Sequence, residues 1–456
     1  MPGINNIFEI GKSALFAQQT AINTTGQNIS NVNTEGYSRK VANFEPSISI
    51  LGQGLQLGSG VTVNDITRVR DRYIDSQLSL QRQTLSYWET MDKKHLLLEQ
   101  IYEEPGETGI SGLMNSFFES WYELSNNPDN AGIRDNVIYH ADALAKKFNS
   151  LESRMTDMSG EITNEISDNI SDFNDYAAQI AEINKKVLYV DKNGGGYSSL
   201  LDERDMLLEK MNSIADIVTQ ENELGQVNIT LSGKVFLQKT HFVALDASKI
   251  EGDMSQMNWT DGTVSDTAKG GTLGALIELR EDIIPENITK LNNLAATLVE
   301  TVNNQHRAGY SAEGNTGVNF FDESGTDAST IAVDARLFEN NQLLAASGDG
   351  NQGDGTNAML IAQLQDLNTM QNSSLSFTEY YANIVTTEGN RRDQAIQLHD
   401  GQETFTNNLY SYQQSISGVS LDEEMTNLIL FQRGYQAASK LITLADEMTQ
   451  TIINMV

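Results

Sequence analysis

Cysteine is absent from the 456-residue chain, which excludes disulfide staples and thiolate metal sites. The absence also suits a protein working outside the cell without oxidative folding. Basic residues are few: 30 Lys and Arg against 62 Asp and Glu leave a net charge of −32. Such a surface repels nucleic acid and anionic membranes. No apolar run approaches the eighteen or more residues of a membrane span. The start, Met1-Pro2-Gly3-Ile4, lacks the basic region, apolar core and cleavage site of a secretory signal. Export, if it occurs, is expected to proceed without signal cleavage.

Catalytic signatures are missing as well. There is no HExxH, GxSxG or P-loop, and no GxGxxG after a strand. The histidines (His95, His140, His241, His306 and His399) are scattered. His140 and Asp142 form a close His–carboxylate pair, but positions two apart on a helix do not share a face. His95 lies on an apolar helix face and is expected as a core residue, and His306 as a buried hydrogen-bonding one. Acidic pairs are too common here to nominate a general acid and base. No enzyme activity, catalytic residue, cofactor or metal is expected.

What the chain does have is helical periodicity. Leu421, Met425, Leu428, Phe431, Tyr435, Ala438, Ile442, Ala445, Met448, Ile452 and Met455 recur in three- and four-residue steps, one stripe of a helix roughly 50 Å long. Ser420 and then Asp422, Glu423 and Glu424 suit its start, a hydroxyl cap followed by acids at the positive end of the dipole. At the other end Phe8, Leu15, Ile22 and Ile29 are seven apart, with Ile7, Ala14 and Ala21 beside them and Gly11, Gln18 and Thr25 diluting the seam. The two segments are expected to pair as a coiled coil. Residues 1 to 34 contain only Glu9 and Lys12 as charges, so this end carries little repulsion against neighbours.

Between the ends, Val41 to Val69, with Gly52, Gly54, Gly58 and Gly60, predicts a β-hairpin or two short strands. A helix follows to about Tyr102, its face formed by Ile74, Leu78, Leu85, Trp88, His95 and Leu98. Pro105 breaks the chain, and a shorter helix carries Phe117, Phe118, Trp121 and Tyr122 as core filling. From Ile133 to Val187 apolar residues keep helical steps for roughly 80 Å, with a bend expected at Ser159-Gly160. Asp191 to Asp202 imitates a calcium loop, but Gly195 and Asp202 stand where ligands belong; a glycine hinge before a Leu200–Met211 helix is the better reading. Residues 213 to 265 are β-rich, with a turn at Ser232-Gly233-Lys234. Helices are expected again at Leu273–Val302, Met359–Leu367 and Phe377–Tyr410. Asp349 to Gly355 is expected as an exposed loop.

Asn28-x-x-Asn31-x-x-Thr34-x-Gly36-Tyr37-Ser38-Arg39, following an amphipathic helix, resembles the signature of bacterial flagellar axial proteins, with Glu35 where many have Pro. The C-terminal stretch through Phe431-Gln432-Arg433-Gly434-Tyr435 resembles the matching helix of those proteins. Leu200-Leu201-Asp202-x-Arg204-Asp205, Gly270-Gly271-x-Leu273-Gly274, Val302-Asn303-x-Gln305-His306 and Gly418-Val419-Ser420-Leu421-Asp422-Glu423-Glu424 resemble blocks of the hook-associated protein 1 family, the first hook–filament junction proteins. The resemblance implies a structural protein exported by the flagellar type III apparatus. It would self-associate in a ring between hook protein and the next junction protein, with an export chaperone on Leu428, Phe431, Tyr435 and Leu441. Another axial protein, hook or rod, is the alternative; a secreted flagellar cell-wall hydrolase is the other.

The expected fold is mainly α with β-rich insertions. A terminal coiled-coil domain takes residues 1–38 and 412–456. A helical rod takes 39–212, 270–310 and 350–411. An outer β-rich domain takes 213–269 and 311–349. The assembly seam is expected at Phe8, Leu15, Ile22, Ile29, Leu421, Met425, Leu428, Phe431, Tyr435, Ile442, Met448 and Ile452. A single seam buries too little apolar surface to offset backbone ordering, so both ends are expected to be largely disordered before assembly.

Overall fold

The computed structural model describes residues 2–34, 36–50, 56–102, 106–192, 194–250, 252, 254–371 and 373–455; Met1, Glu35, Gly52, Gly54 and Pro105, singled out above, and Asn193 within the Asp191–Asp202 stretch lie outside these. In chain order, helix α1 (Pro2–Ser30) precedes strands β1 (Lys40–Ile50) and β2 (Gln56–Arg68). Helices α2 (Arg72–Tyr102), α3 (Ile110–Asn126), α4 (Ala131–Val187) and α5 (Gly195–Ile214) follow. The small strands are β3 (Ile217–Glu221), β4 (Val227–Leu231), β5 (Lys234–Gln238), β6 (His241–Phe242), β7 (Gln256–Asn258) and β8 (Val264–Asp266). Helices α6 (Gly271–Glu278), α7 (Ile284–Ala308), α8 (Ala335–Glu339), α9 (Thr356–Gln363), α10 (Phe377–Ser417) and α11 (Leu421–Met455) complete the chain.

The long apolar stripe yields one uninterrupted helix. α4 runs for 57 residues, roughly 85 Å. α4 is unbroken through Ser159-Gly160, and Gly160 faces open space. From Val137 to Met158 the buried residues step alternately by four and three, but Met158, Ile162, Ile166 and Ile170 are four apart each. That is a stutter, which locally unwinds a left-handed seam where the helix passes from one set of partners to another.

Its C-terminal half carries the outer sheet, an antiparallel meander in the order β3-β4-β5-β6. Val227, Ile229 and Leu231 alternate inward on β4. The turn after β4 has positive φ at Ser232 (48°) and Gly233 (78°), the type I′ geometry that matches strand twist. Phe236 packs on Phe173 of α4, centroids 5.0 Å apart. Two asparagines of α4 stitch this region down. Asn174 exchanges both amide hydrogen bonds with the backbone of Leu245 (3.0 and 2.9 Å), and Asn184 does so with Val227 (2.8 and 3.0 Å).

The N-terminal half of α4 has a different companion. Residues 311–349, expected in the outer β-rich domain, lie here instead, and their described β structure is confined to isolated bridges such as Phe321 to Val333. Phe320 and Phe321 insert between Phe117 (5.7 and 5.9 Å) and Trp121 (5.2 Å to Phe320) of α3. The Arg134 side chain, 2% exposed, donates to the carbonyls of Pro128 and Leu344, each at 2.8 Å. Aromatic burial and arginine clamping override the Gly- and Asn-rich texture that suggested a separate β unit. Tyr122, expected as core filling, is 52% exposed. α6 and α7 are joined by a π turn at Leu279–Ile283 just before Pro285, where a residue without an N–H breaks the regular ladder.

The hairpin, assigned to the rod from the sequence, packs on the terminal helices: Phe44 of β1 meets Phe431 of α11 at 6.1 Å. α10 is also longer than its stripe suggested. It continues to Ser417, so residues 412–417, expected with the terminal segment, are the last turns of this helix.

His306 is fully buried. Its Nδ1 donates to the Val318 carbonyl at 2.7 Å and its Nε2 accepts from the Ala345 N–H at 3.0 Å. The ring therefore holds one proton and ties two loop segments to α7. Burial pushes its pKa down to about 4. The unfolded chain takes up this proton near pH 6.5, so the stabilisation is complete above that pH and is lost as pH falls toward 4. The loss attributable to His306 is about 3 kcal/mol. Urea midpoints at pH 7.5 and 4.5 should fall further for wild type than for His306→Gln; equal drops would contradict this.

Candidate functional site

α1 and α11 run antiparallel at close range. A side chain at Gly11 would meet Ile442 Cγ1 at 2.8 Å, and one at Gly434 would meet Gln18 Cδ at 2.8 Å. Glycine on each helix thus sets the approach. Gly11, Ala17, Ala21, Thr24, Thr25 and Asn28 are buried on α1, and Glu424, Ala438 and Ala445 on α11. The residues expected to dilute the seam are among those that form it.

This shifts the expected seam residues. Leu15, Ile22, Ile29, Leu428, Phe431, Ile442 and Ile452 are half-buried. Phe8 (44%), Leu421 (48%), Met425 (49%), Tyr435 (40%) and Met448 (39%) are exposed. Ile442 seats against Gly11, but helices that approach through glycine and alanine leave little room for other large knobs, so most of the large side chains lie at the flanks.

At one end of this pair the motif residues form a buried knot. Asn31 Oδ1 accepts from Thr34 Oγ1 (3.2 Å), and the Thr34 N–H donates to the Asn31 carbonyl (2.9 Å). Gly36, at φ 76°, turns the chain back in the left-handed region that favours glycine. Tyr37 then reaches α1, its hydroxyl donating to Asn28 Oδ1 at 2.8 Å. The same oxygen accepts the Lys40 N–H at 3.0 Å, while Asn28 Nδ2 donates to the Lys40 carbonyl (2.8 Å) and to Glu424 Oε2 (2.9 Å). All four hydrogen-bonding positions of one amide are filled. Arg39 adds Nε to Glu424 Oε1 (2.9 Å), Nη1 to Glu423 Oε2 (3.0 Å) and its N–H to the Ser417 carbonyl (3.1 Å). Burial, then the Asp202 and Glu424 charges, push the Tyr37 pKa up to about 12, so it remains a neutral donor.

The knot is fastened to α5 by charge. Arg68 spans Asp202 (3.0 Å) and Asp205 (2.8 Å), and Arg70 and Arg204 also reach Asp205 (2.5 and 3.1 Å). Burial raises the Asp205 pKa, but Arg68, Arg204 and Arg70 outweigh it and hold the carboxyl below its ordinary value. Lys40 Nζ donates to Ser199 at 2.8 Å, and burial lowers its pKa against the opposing pull of Asp202. A cleft of about 710 Å³, lined by polar groups such as Thr20, Asn31, Lys40 and Asp202 and by apolar Ile66 and Met206, lies between α1 and α5. Ion pairs and hydrogen bonds fasten the terminal unit to α5 beside this cleft. Asp202, which resembled the last ligand of a calcium loop, is engaged by Arg68.

Asp142 pairs with Lys146 at 2.7 Å. His399, Asp400 and Glu403 lie within 4.8 Å of one another on α10, and no second feature marks them as a metal site. Sequence reasoning missed the partners of Glu424, whose acid pair served as a complement to the helix dipole. It also missed the arginine cluster. The available signal was the Asp202-x-Arg204-Asp205 block, whose buried charges required partners.

Three family models match. Residues 8–37 match the flagella basal body rod protein family and residues 412–455 the C-terminal family of flagellar basal body rod FlgEFG proteins. Residues 97–321 match the helical domain of flagellar hook-associated protein FlgK. Flagellar hook-associated protein 1 of Bacillus subtilis (strain 168) is 30% identical, with 98% of this chain and 97% of that protein aligned. The chain belongs to the flagellar hook-associated protein 1 family. The Escherichia coli (strain K12) member is 25% identical across 99% of this chain and 100% of its own. The fold is similar to that of the flagellar hook junction protein FlgK from Burkholderia pseudomallei, with TM-score 0.64 and 15% identity over 75% of this chain and 100% of that one. As a family member the chain is a structural protein of the bacterial flagellum, and its two rod-type matches are the segments that Asn28 and Glu424 join.

Asn28→Ala should destabilise the terminal pair by about 2–3 kcal/mol, since it strands several buried partners. Asn28→Asp should be worse despite its equal size, because a carboxylate cannot donate and would face Glu424. Hydrogen exchange across residues 421–438 measures both; unchanged protection in Asn28→Asp would refute the role.

Proposed function

We propose that this protein polymerises through its paired termini as the junction between hook and filament. In this reading it forms a short ring seated on hook protein and capped by the next junction protein, and it does no chemistry. The observation that carries the proposal is the arrangement of apolar side chains on the terminal helices. Their seam is built from small residues, and Phe16 (61% exposed), Ile429 (49%), Leu430 (62%), Leu444 (49%) and Ile453 (62%) project outward. Rows of that size on a single molecule mark an interaction surface, and in a ring the neighbouring copies would cover them. The units proposed for this assembly are the terminal helices with their hairpin, a helical rod around α2, α4, α7 and α10, and the outer sheet.

Export fits the same geometry. An unassembled α11 would present Leu428 and Phe431 to a chaperone, as the family resemblance implies. Phe431 is also the residue that packs on Phe44. Chaperone binding and docking of α11 on the hairpin would then exclude each other, which favours release only as the terminus folds into the growing structure. Before assembly both ends are proposed to be loosely held, because the seam buries alanine and glycine rather than leucine.

The test separates seam from surface. Ile442→Asp places a charge against Gly11, at a cost of several kcal/mol, and should free both ends. Leu430→Asp with Leu444→Asp should leave the melting of the isolated protein within about 0.5 kcal/mol of wild type yet abolish incorporation and swimming. Limited proteolysis of the monomer reports the state of the ends, and immunolabelling of isolated flagella reports incorporation. Normal filaments from the Leu430, Leu444 double variant would sink the proposal.

A further inference from the structure

Two struts connect the body to the terminal unit: α2 follows directly from the hairpin, and α10 leads into α11 through Gly418–Ser420. The two struts lie against each other. Any axial slip between them would therefore shift α11 along α1. One helical turn is about 5.4 Å, enough to carry Glu424 out of hydrogen-bonding range of Asn28.

Most of α10 offers little to prevent such a slip. Beyond Glu388 its buried residues are Ala395, Thr406 and Ser417, the last two each eleven positions after the one before. These are small side chains without knobs to seat in holes, and Thr406 Oγ1 and Ser417 Oγ have no hydrogen-bond partner. The distal contacts are adaptable: Gln402 Nε2 to the Gln81 carbonyl (3.0 Å), Gln413 Nε2 to Asp75 (2.6 Å) and the Arg82 guanidinium over the Tyr410 ring, 5.4 Å from its centroid.

The near end differs. Glu388 is 1% exposed and His95 is 2% exposed, and the Nδ1 of His95 is hydrogen-bonded to Glu388. Asn287 of α7 donates to the second oxygen of Glu388 (3.4 Å) and to the Ile283 carbonyl (2.9 Å). The Tyr102 hydroxyl donates to Asn287 Oδ1 at 3.0 Å, and Arg391 lies 3.8 Å from Glu388. Three helices thus share one buried polar network. Well-packed apolar residues of equal volume would often be as stabilising or more so, and the best-attested use of such buried polar groups is to specify register.

We infer that Glu388, through His95 and Asn287, is a positioning residue that fixes the axial register of α10 on α2 and so sets where α11 meets α1. Glu388 acts roughly 45 Å from the end of α10, by denying the small-residue interface its alternative registers.

The chain has no cysteine, so engineered pairs report on register cleanly. In the full-length protein, Q81C/Q402C scores the native register, while Q81C/L398C and Q81C/T406C score a slip of one turn either way. A disulfide needs Cα atoms within about 7 Å. In the native background the first pair should close under mild oxidation and the other two should not. In H95L/E388L the slipped pairs should gain on the native pair by roughly tenfold or more, the ratio that a 1.4 kcal/mol preference enforces, while the melting temperature is unchanged or higher. E388A provides a second, milder background for the same ratio, and E388Q, which keeps the shape and a hydrogen bond, should retain the native register. Native cross-links alone in both H95L/E388L and E388A would overturn the inference. So would loss of folding in both with E388Q unaffected, because the network would then supply stability rather than register.

Discussion

The terminal architecture depends on keeping one buried carboxylate paired. Glu424 is 2% exposed, and its two oxygens are met by Asn28 and Arg39 from the opposite end of the chain. Removing one partner of such a group typically costs 3–5 kcal/mol. α11 can therefore settle only where the turn after α1 has already brought these partners together. Tyr37 and Gly36 make that turn, and the ionic cluster on α5 holds it in place. The dependence runs both ways, since Arg39 takes two of its contacts from α11. The ends of the chain thus position one another through these paired charges.

The body relies on a related device. Straight helices such as α4 and α7 cannot cover irregular chain with apolar contact alone, because that chain carries unpaired backbone groups. Buried asparagines resolve the conflict. Asn174 and Asn184 pair with strand and loop backbone, and Asn303 accepts from the N–H groups of Phe320 and Phe321, each at 2.8 Å, while donating to the Phe321 carbonyl at 3.0 Å. Each amide acts as a short piece of β ladder mounted on a helix. A rod can then hold a sheet at one end and a loop-rich cap at the other without changing course.

Helix existence and length were legible because long stripes need partners and tolerate few interruptions: α1, α2, α4 and α11 fall close to where periodicity puts them. The hairpin and the Ser232-Gly233 turn were legible from glycine and alternation. The seam was not, for a definite reason. Periodicity identifies the stripe with the largest apolar side chains, and here the helices approach along the neighbouring stripe of Gly11, Gln18, Ala21 and Thr25. Residues 311–349 misled because a Gly- and Asn-rich segment looks alike whether it forms a small sheet or wraps a helical core; Phe320 and Phe321 decide the matter only once Trp121 is beside them. The Arg68–Asp205 cluster joins residues more than a hundred positions apart, and no local pattern encodes such a pairing.

Seam size and charge distribution point the same way. A leucine-rich terminal pair would bury its own apolar surface and be finished as a monomer. A glycine- and alanine-lined pair is thinner, and its large side chains remain outside, where a neighbour can use them. That arrangement is workable only if neighbours can approach, and a chain of net charge −32 would resist close packing at charged surfaces. The opposing charge is largely absent from residues 1–34, which hold one acid and one base. In the proposed ring, crowding of copies along α1 would therefore cost little electrostatically, whereas α11 carries five acids against two bases. Small residues inside the seam and large ones outside it are the arrangement on which the proposed polymerisation through the termini rests.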